Sequence, residues 1–84
     1  EEEAVRLANN SPYGLSASIW SDDIERAERF ALKIEAGNVF INAISGSDPR
    51  MPFGGIKRSG YGRELGRDGM LEFANIKAIT VDNT

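Results

Sequence analysis

Over the first ten residues the apolar positions recur at helical spacing, with Val5 and Ala8 three apart and Ala4 and Leu7 beside them. Glu1, Glu2 and Glu3 suit the positive end of a helix dipole, so a short helix is predicted over 1–10. Asn9-Asn10-Ser11-Pro12 ends it, because proline lacks an amide proton and restricts the residue before it. The period then changes to two. Leu15, Ala17 and Ile19 alternate with Ser16, Ser18 and Trp20, which predicts a strand from Leu15 to Trp20. Ser21-Asp22-Asp23 supplies side-chain oxygens for an N-cap, and Glu25 lies three residues after Asp22 as a capping box requires. In the second helix Ile24, Ala27, Ala31 and Ile34 share a face bordered by Phe30, while Glu25, Arg26, Glu28, Arg29 and Lys33 cover the rest. This is the pattern of a core stripe facing inward with solvated charges outside.

Gly37 reads as the residue just past that helix, free to take positive φ. The short apolar run Val39-Phe40-Ile41 reads as a buried strand. Strand, helix and strand with short connections make a βαβ unit, which implies parallel strands and a right-handed crossover, hence an α/β fold class. From Ala43 to Gly62 periodicity disappears and Gly46, Pro49, Pro52, Gly54, Gly55, Gly60 and Gly62 accumulate, giving a long loop that its Pro and Phe anchors should order. A third helix is predicted from Arg63 to Ala74 despite Gly66 and Gly69. Ile76 to Val81 has strand propensity, with Ile79 and Val81 facing opposite to Ala78 and Thr80.

Composition narrows the functions such a chain can carry. The 84 residues fit one small domain or a piece of a larger one, 40% are hydrophobic, and no apolar run approaches the ~18 residues that span a bilayer. The acidic start has neither the basic region nor the apolar stretch of a secretion signal, so a cytoplasmic location is expected. Without cysteine the chain has no disulfide, thiolate metal site or thiol nucleophile, and without histidine it lacks the commonest general base and metal ligand. The net charge of −3 gives no global attraction to nucleic acid.

Basic residues nevertheless gather at Lys57, Arg58, Arg63 and Arg67, within a glycine-rich stretch that invites an anion-binding reading. The spacing opposes it. Gly60 is followed by Tyr61 where a P-loop needs lysine, and Gly60, Gly62 and Gly66 follow a loop at G-x-G-x-x-x-G spacing, unlike the dinucleotide fingerprint. No cofactor-binding or metal-binding residue is therefore assigned.

The run Pro-Phe-Gly-Gly-x-Lys-x-Ser-Gly-x-Gly-Arg-Glu-x-Gly at 52–66 closely resembles the C-terminal signature of the aldehyde dehydrogenase superfamily. Leu7-Ala8-Asn9-Asn10, Tyr13-Gly14-Leu15 and Gly37-Asn38-Val39-Phe40-Ile41-Asn42 resemble the same family in the same order, so the likeness covers essentially the whole chain. Ser47-Asp48-Pro49-Arg50 before Met51-Pro52-Phe53 looks most like the succinate-semialdehyde dehydrogenases. The resemblance implies an NAD- or NADP-dependent oxidation in which a cysteine attacks the aldehyde, hydride passes to the nicotinamide and water releases the acid from a thioester. It also implies that residues 1–75 are the C-terminal part of the catalytic domain and residues 76–84 an oligomerisation strand. This chain supplies neither the thiol nor the cofactor domain, so independent catalysis is not expected of it.

Carried over by position, the loop after the Phe40 strand lines the substrate tunnel, which places Ser47 and Phe53 there, with Arg50 an added candidate beside them. Phe53 would pack on the aldehyde's carbon chain, Ser47 would donate to a substrate carboxylate, and Arg50 would add a charge-assisted bond. The competing roles are a core plug for Phe53 and a solvated loop charge for Arg50. Glu64 matches an acid proposed to relay protons, and Arg63 a residue tying the subunit interface to the active site; simple ion pairing is the competing role for both. Ile76, Ala78, Ile79, Thr80 and Val81 match the arm that joins a neighbouring subunit's sheet, which implies self-association. Two other readings stand beside this one: a non-catalytic assembly module that docks on dehydrogenase subunits, and anion binding through the basic cluster.

Overall fold

A computed structural model describes residues 1–83. Helix α1 spans Glu2–Asn9, β1 Tyr13–Gly14, β2 Ser16–Ile19, α2 Ile24–Ala31, β3 Asn38–Ile41, β4 Ile56–Lys57 and α3 Gly66–Leu71. The expected βαβ unit is present: β2 and β3 pair in parallel, with Ser16 opposite Asn38 and Ile19 opposite Ile41, and α2 connects them. The ladder runs past both ends of the strands, since Gly37 N donates to Gly14 O at 3.0 Å and Asn42 N to Ile19 O at 2.8 Å.

Helix α2 begins one residue later than the capping-box reading placed it. Asp23 is the N-cap, and its side chain accepts from Arg26 N at 3.0 Å. Position N3 is therefore Arg26, and Glu25 falls outside any reciprocal cap with Asp22. Both aspartates offer a suitable carboxylate; the tie is broken by Ser21, whose Oγ accepts from Asp23 N at 3.0 Å and sets Asp23 at the helix entrance. Of the predicted stripe, Ala27 is buried at 2% exposure, Phe30, Ala31 and Ile34 are half-buried, and Ile24 stays exposed. Strand β3 is half-buried along its whole length where a buried strand was expected. Ala27 is the buried hydrophobic residue of the described chain, and large side chains such as Leu32 and Trp20 remain open to solvent.

The long loop contains a ladder that periodicity did not show. Strand β4 pairs antiparallel with β1, Tyr13 opposite Lys57 and Gly14 opposite Ile56. Gly37 has a role other than the expected positive φ, a conformation that falls instead on Gly60, Gly62 and Gly66. At Gly37 an added Cβ would lie 1.6 Å from Gly54 O, so the backbone of the glycine-rich stretch passes directly over it. Helix α3 starts at Gly66, not Arg63, because Glu64 is drawn into a bridge with Phe53 and Leu65 takes φ 65° at the N-cap.

The segment 76–81 forms no strand within the described chain. Its side chains point to solvent, Ile76 at 98% and Ile79 at 80% exposure. A strand requires a ladder partner, and among the described residues no ladder includes 76–81. The radius of gyration, 17.2 Å, exceeds the about 12 Å expected for a compact chain of this length. Thr84, the last residue of the predicted 76–84 unit, lies outside the described residues.

Candidate functional site

The glycine-rich stretch folds back on itself into one wall of an open cleft of about 510 Å³, to which Phe53, Ser59, Tyr61, Arg63, Glu64 and Phe73 contribute. Its base is a single antiparallel bridge: Phe53 N donates to Glu64 O and Glu64 N to Phe53 O, both at 2.8 Å. Arg63 closes the loop between them. Its Nη1 donates to Gly55 O at 3.0 Å and Gly62 O at 2.7 Å. Phe53 is half-buried and Glu64 exposed.

A second set of bonds fastens this wall to the βαβ unit. Asn38, the first residue of β3, donates from Nδ2 to Pro52 O at 2.9 Å and accepts at Oδ1 from Gly54 N at 3.2 Å. Ser59 Oγ accepts from Gly14 N at 2.9 Å. Lys57 Nζ donates to Asn9 O at 3.0 Å, at the carbonyl end of α1 where a cation is favoured, and pairs with Glu35 at 2.9 Å. Asn9 itself donates from Nδ2 to Lys33 O at 2.9 Å and accepts at Oδ1 from Glu35 N at 2.8 Å, tying α1 to the turn after α2.

The structure therefore brings Phe53, Arg63 and Glu64 together and leaves Ser47 and Arg50 apart from them. Ser47 is exposed on the loop after β3. Arg50 is held locally: Nε donates to Asp48 Oδ1 at 3.1 Å and Nη2 to Asp48 Oδ2 at 2.7 Å, and its backbone N–H adds a third bond at 2.9 Å. Those side-chain and backbone bonds hold the Asp48 carboxyl down at about 2, and Asp48 in turn raises the Arg50 guanidinium. The sequence reading did not single out Asn38, Asn9 or Ser59 as site-building residues. Their signal was polar side chains beside elements otherwise read as apolar, where a carboxamide finds backbone partners.

Lys57 and Arg63 are committed to carbonyl groups, and α3 has six residues. The glycine-rich stretch accordingly does not fit a dinucleotide diphosphate, which needs free N–H groups at a helix N-terminus after a strand. Among the described residues no group of three or more acidic side chains could hold a metal ion, and no helix is long and apolar enough to cross a membrane.

The architecture and the signature at 52–66 agree with a family model described as "Aldehyde dehydrogenase family", which matches residues 1–79. The chain belongs to the aldehyde dehydrogenase family. The Synechocystis sp. relative named "Probable succinate-semialdehyde dehydrogenase, NADP(+)" is 58% identical over 80 residues, covering 95% of this chain and 18% of that relative. The Deinococcus radiodurans protein named succinate-semialdehyde dehydrogenase, NADP(+), is 52% identical over 79 residues, covering 94% of this chain and 17% of the relative. Among solved structures, succinic semialdehyde dehydrogenase from Streptococcus pyogenes in complex with NADP+ superposes with a TM-score of 0.91 at 50% identity, over 98% of this chain and 18% of that one. Betaine aldehyde dehydrogenase from Staphylococcus aureus with NAD+ superposes with a TM-score of 0.81 at 46% identity, over 86% and 14%. This aldehyde dehydrogenase chain thus spans less than a fifth of the length of these relatives.

Proposed function

We propose that these residues serve as the C-terminal portion of an NAD(P)-dependent aldehyde dehydrogenase that oxidises succinate semialdehyde to succinate in the cytoplasm, forming one wall of the substrate pocket and a subunit interface. The observation that carries this reading is the Phe53–Glu64 bridge, which holds an aromatic ring and a carboxylate-bearing residue at one cleft. In this assignment Phe53 packs on the carbon chain of the aldehyde and Ser47 donates to its distal carboxylate. Arg50 adds charge from the Asp48 fork, Glu64 relays protons at the rear, and Arg63 connects that region to the interface. The thiol nucleophile and the coenzyme belong to polypeptide outside these 84 residues, which contain no cysteine.

The arm at 76–81 supports the interface half of the proposal. Ile76, Ile79 and Val81 are exposed at 98%, 80% and 73%, with Ala78 and Thr80 between them, an arrangement suited to pairing with a neighbouring subunit's sheet edge. The same exposure favours a second reading, in which the chain is an assembly module that docks on dehydrogenase subunits without catalysing.

A hybrid enzyme tests the first reading. Residues 1–84 replace the matched segment of the Synechocystis relative, and oxidation of succinate semialdehyde is followed by NADPH formation. The hybrid is expected to turn over and the separate chain to be silent. Turnover by the separate chain, or a folded but inactive hybrid, would refute the assignment. Co-migration of the separate chain with full-length subunits would favour the assembly reading.

A further inference from the structure

Phe53 is flanked by two peptide planes, and all four of their polar groups have partners. Glu64 takes two of them, its O accepting from Phe53 N and its N donating to Phe53 O. The other two go to one side chain: Pro52 O accepts from Asn38 Nδ2, and Gly54 N donates to Asn38 Oδ1. A carboxamide is suited to this because it carries a donor and an acceptor a fixed distance apart, and here only one orientation of the amide satisfies both partners. The neighbouring Gly37 gives the Gly54 carbonyl room to sit against β3, where a Cβ would lie 1.6 Å from it. The Phe53 backbone is consequently gripped from both edges, by Glu64 on one and by Asn38, the first residue of β3, on the other.

We infer that Asn38 is a positioning residue for Phe53: by fixing both adjoining peptide planes it aims the aromatic ring into the cleft and thereby sets affinity for the aldehyde's carbon chain. The inference rests on the proposed contact between Phe53 and substrate. Asn38 faces Pro52 and Gly54 and does not line the cleft, so it acts through the backbone. Loss of such a contact weakens ground-state and transition-state binding alike, which appears in KM more than in kcat.

The test uses the hybrid enzyme with Asn38→Ala, Asn38→Asp, Phe53→Ala and the double variant Asn38→Ala/Phe53→Ala. Asn38→Ala is expected to raise KM for succinate semialdehyde about tenfold with kcat changed by less than about twofold, the loss of two hydrogen bonds being felt through one side chain. Asn38→Asp keeps an acceptor for Gly54 N but sets a second oxygen against Pro52 O, so it also raises KM, and it carries the comparison if the alanine variant does not fold. In the double variant Asn38→Ala should add nothing beyond Phe53→Ala. If Phe53→Ala raises KM while the Asn38 variants do not, or if the two effects simply multiply, the positioning role is overturned and the Phe53 contact stands. If Phe53→Ala leaves KM unchanged, the substrate contact fails and the role of Asn38 falls with it.

Discussion

Adding one methyl group at Gly37 is the most sharply defined perturbation the structure offers. The Cβ of alanine would lie 1.6 Å from Gly54 O, 2.7 Å from Gly54 C and 3.1 Å from Gly55 Cα. All three are backbone atoms, so no side-chain rotation relieves the overlap, and ordinary contact requires the glycine-rich stretch to retreat by about 1.5 Å or more. Overpacking of this kind costs about 1–3 kcal/mol. The same retreat stretches both Asn38 bonds, each of which contributes about 1 kcal/mol. A total of about 3–5 kcal/mol follows, a large fraction of the 5–15 kcal/mol that stabilises a typical domain, roughly. Gly46→Ala is the matched control, because nothing lies within 4 Å of its added Cβ and its φ is not positive. Urea unfolding followed by circular dichroism should show a much lower midpoint for Gly37→Ala, and for Gly46→Ala no loss or a gain of a few tenths of a kcal/mol, roughly. Equal midpoints for the two variants would refute the close approach.

Asn9→Ala removes the bonds to Lys33 O and Glu35 N and should lower stability by about 1–3 kcal/mol, read from the same unfolding curve; an unchanged midpoint would exclude the tie between α1 and the turn after α2. Asp23→Ala should cost about 1 kcal/mol as the loss of an N-cap, whereas Asp22→Ala should cost little, and the reverse ranking would return the cap to Asp22. The Asp48 carboxyl should titrate at about 2 by NMR and move back toward 3.8 in Arg50→Ala. Because its folded value is depressed, the associated stabilisation is present above pH 3.8 and disappears as pH falls through about 2; an Asp48 midpoint indifferent to Arg50→Ala would remove the fork as its cause.

Elements with enough residues to display a period were legible. The helical spacing of Ile24, Ala27 and Ala31, and the apolar run Val39-Phe40-Ile41, located α2 and β3, and their short connections implied the parallel pairing. Strands β1 and β4 have two residues each, too few to alternate, so their ladder had no sequence signal. The N-cap was misplaced by one because adjacent aspartates are chemically equivalent, and only the Ser21 bond to Asp23 separates them. Gly37 was recognised as necessary for the wrong reason: the sequence shows that a Cβ is missing, not whether φ or a neighbouring backbone requires it. The segment 76–81 has the residues of a strand, but strand formation depends on a partner that local propensity does not describe. For the candidate site, the signature identified Phe53, Arg63 and Glu64, which the fold brings to one cleft. Asn38 was invisible as a brace because its partners are main-chain atoms 14 and 16 positions away.

The ammonium of Lys57 touches the last turn of α1 through Asn9 O, the connection after it through Ser11 O, and the approach to β3 through Glu35. One side chain thus couples segments distant in sequence, so opening any of them removes a tie that helps to hold the others in place. Amide hydrogens in α1, the α2–β3 turn and the β1–β4 ladder should exchange with solvent at correlated rates, as one cooperative unit, while those of the exposed segment 76–81, which joins no ladder, exchange faster.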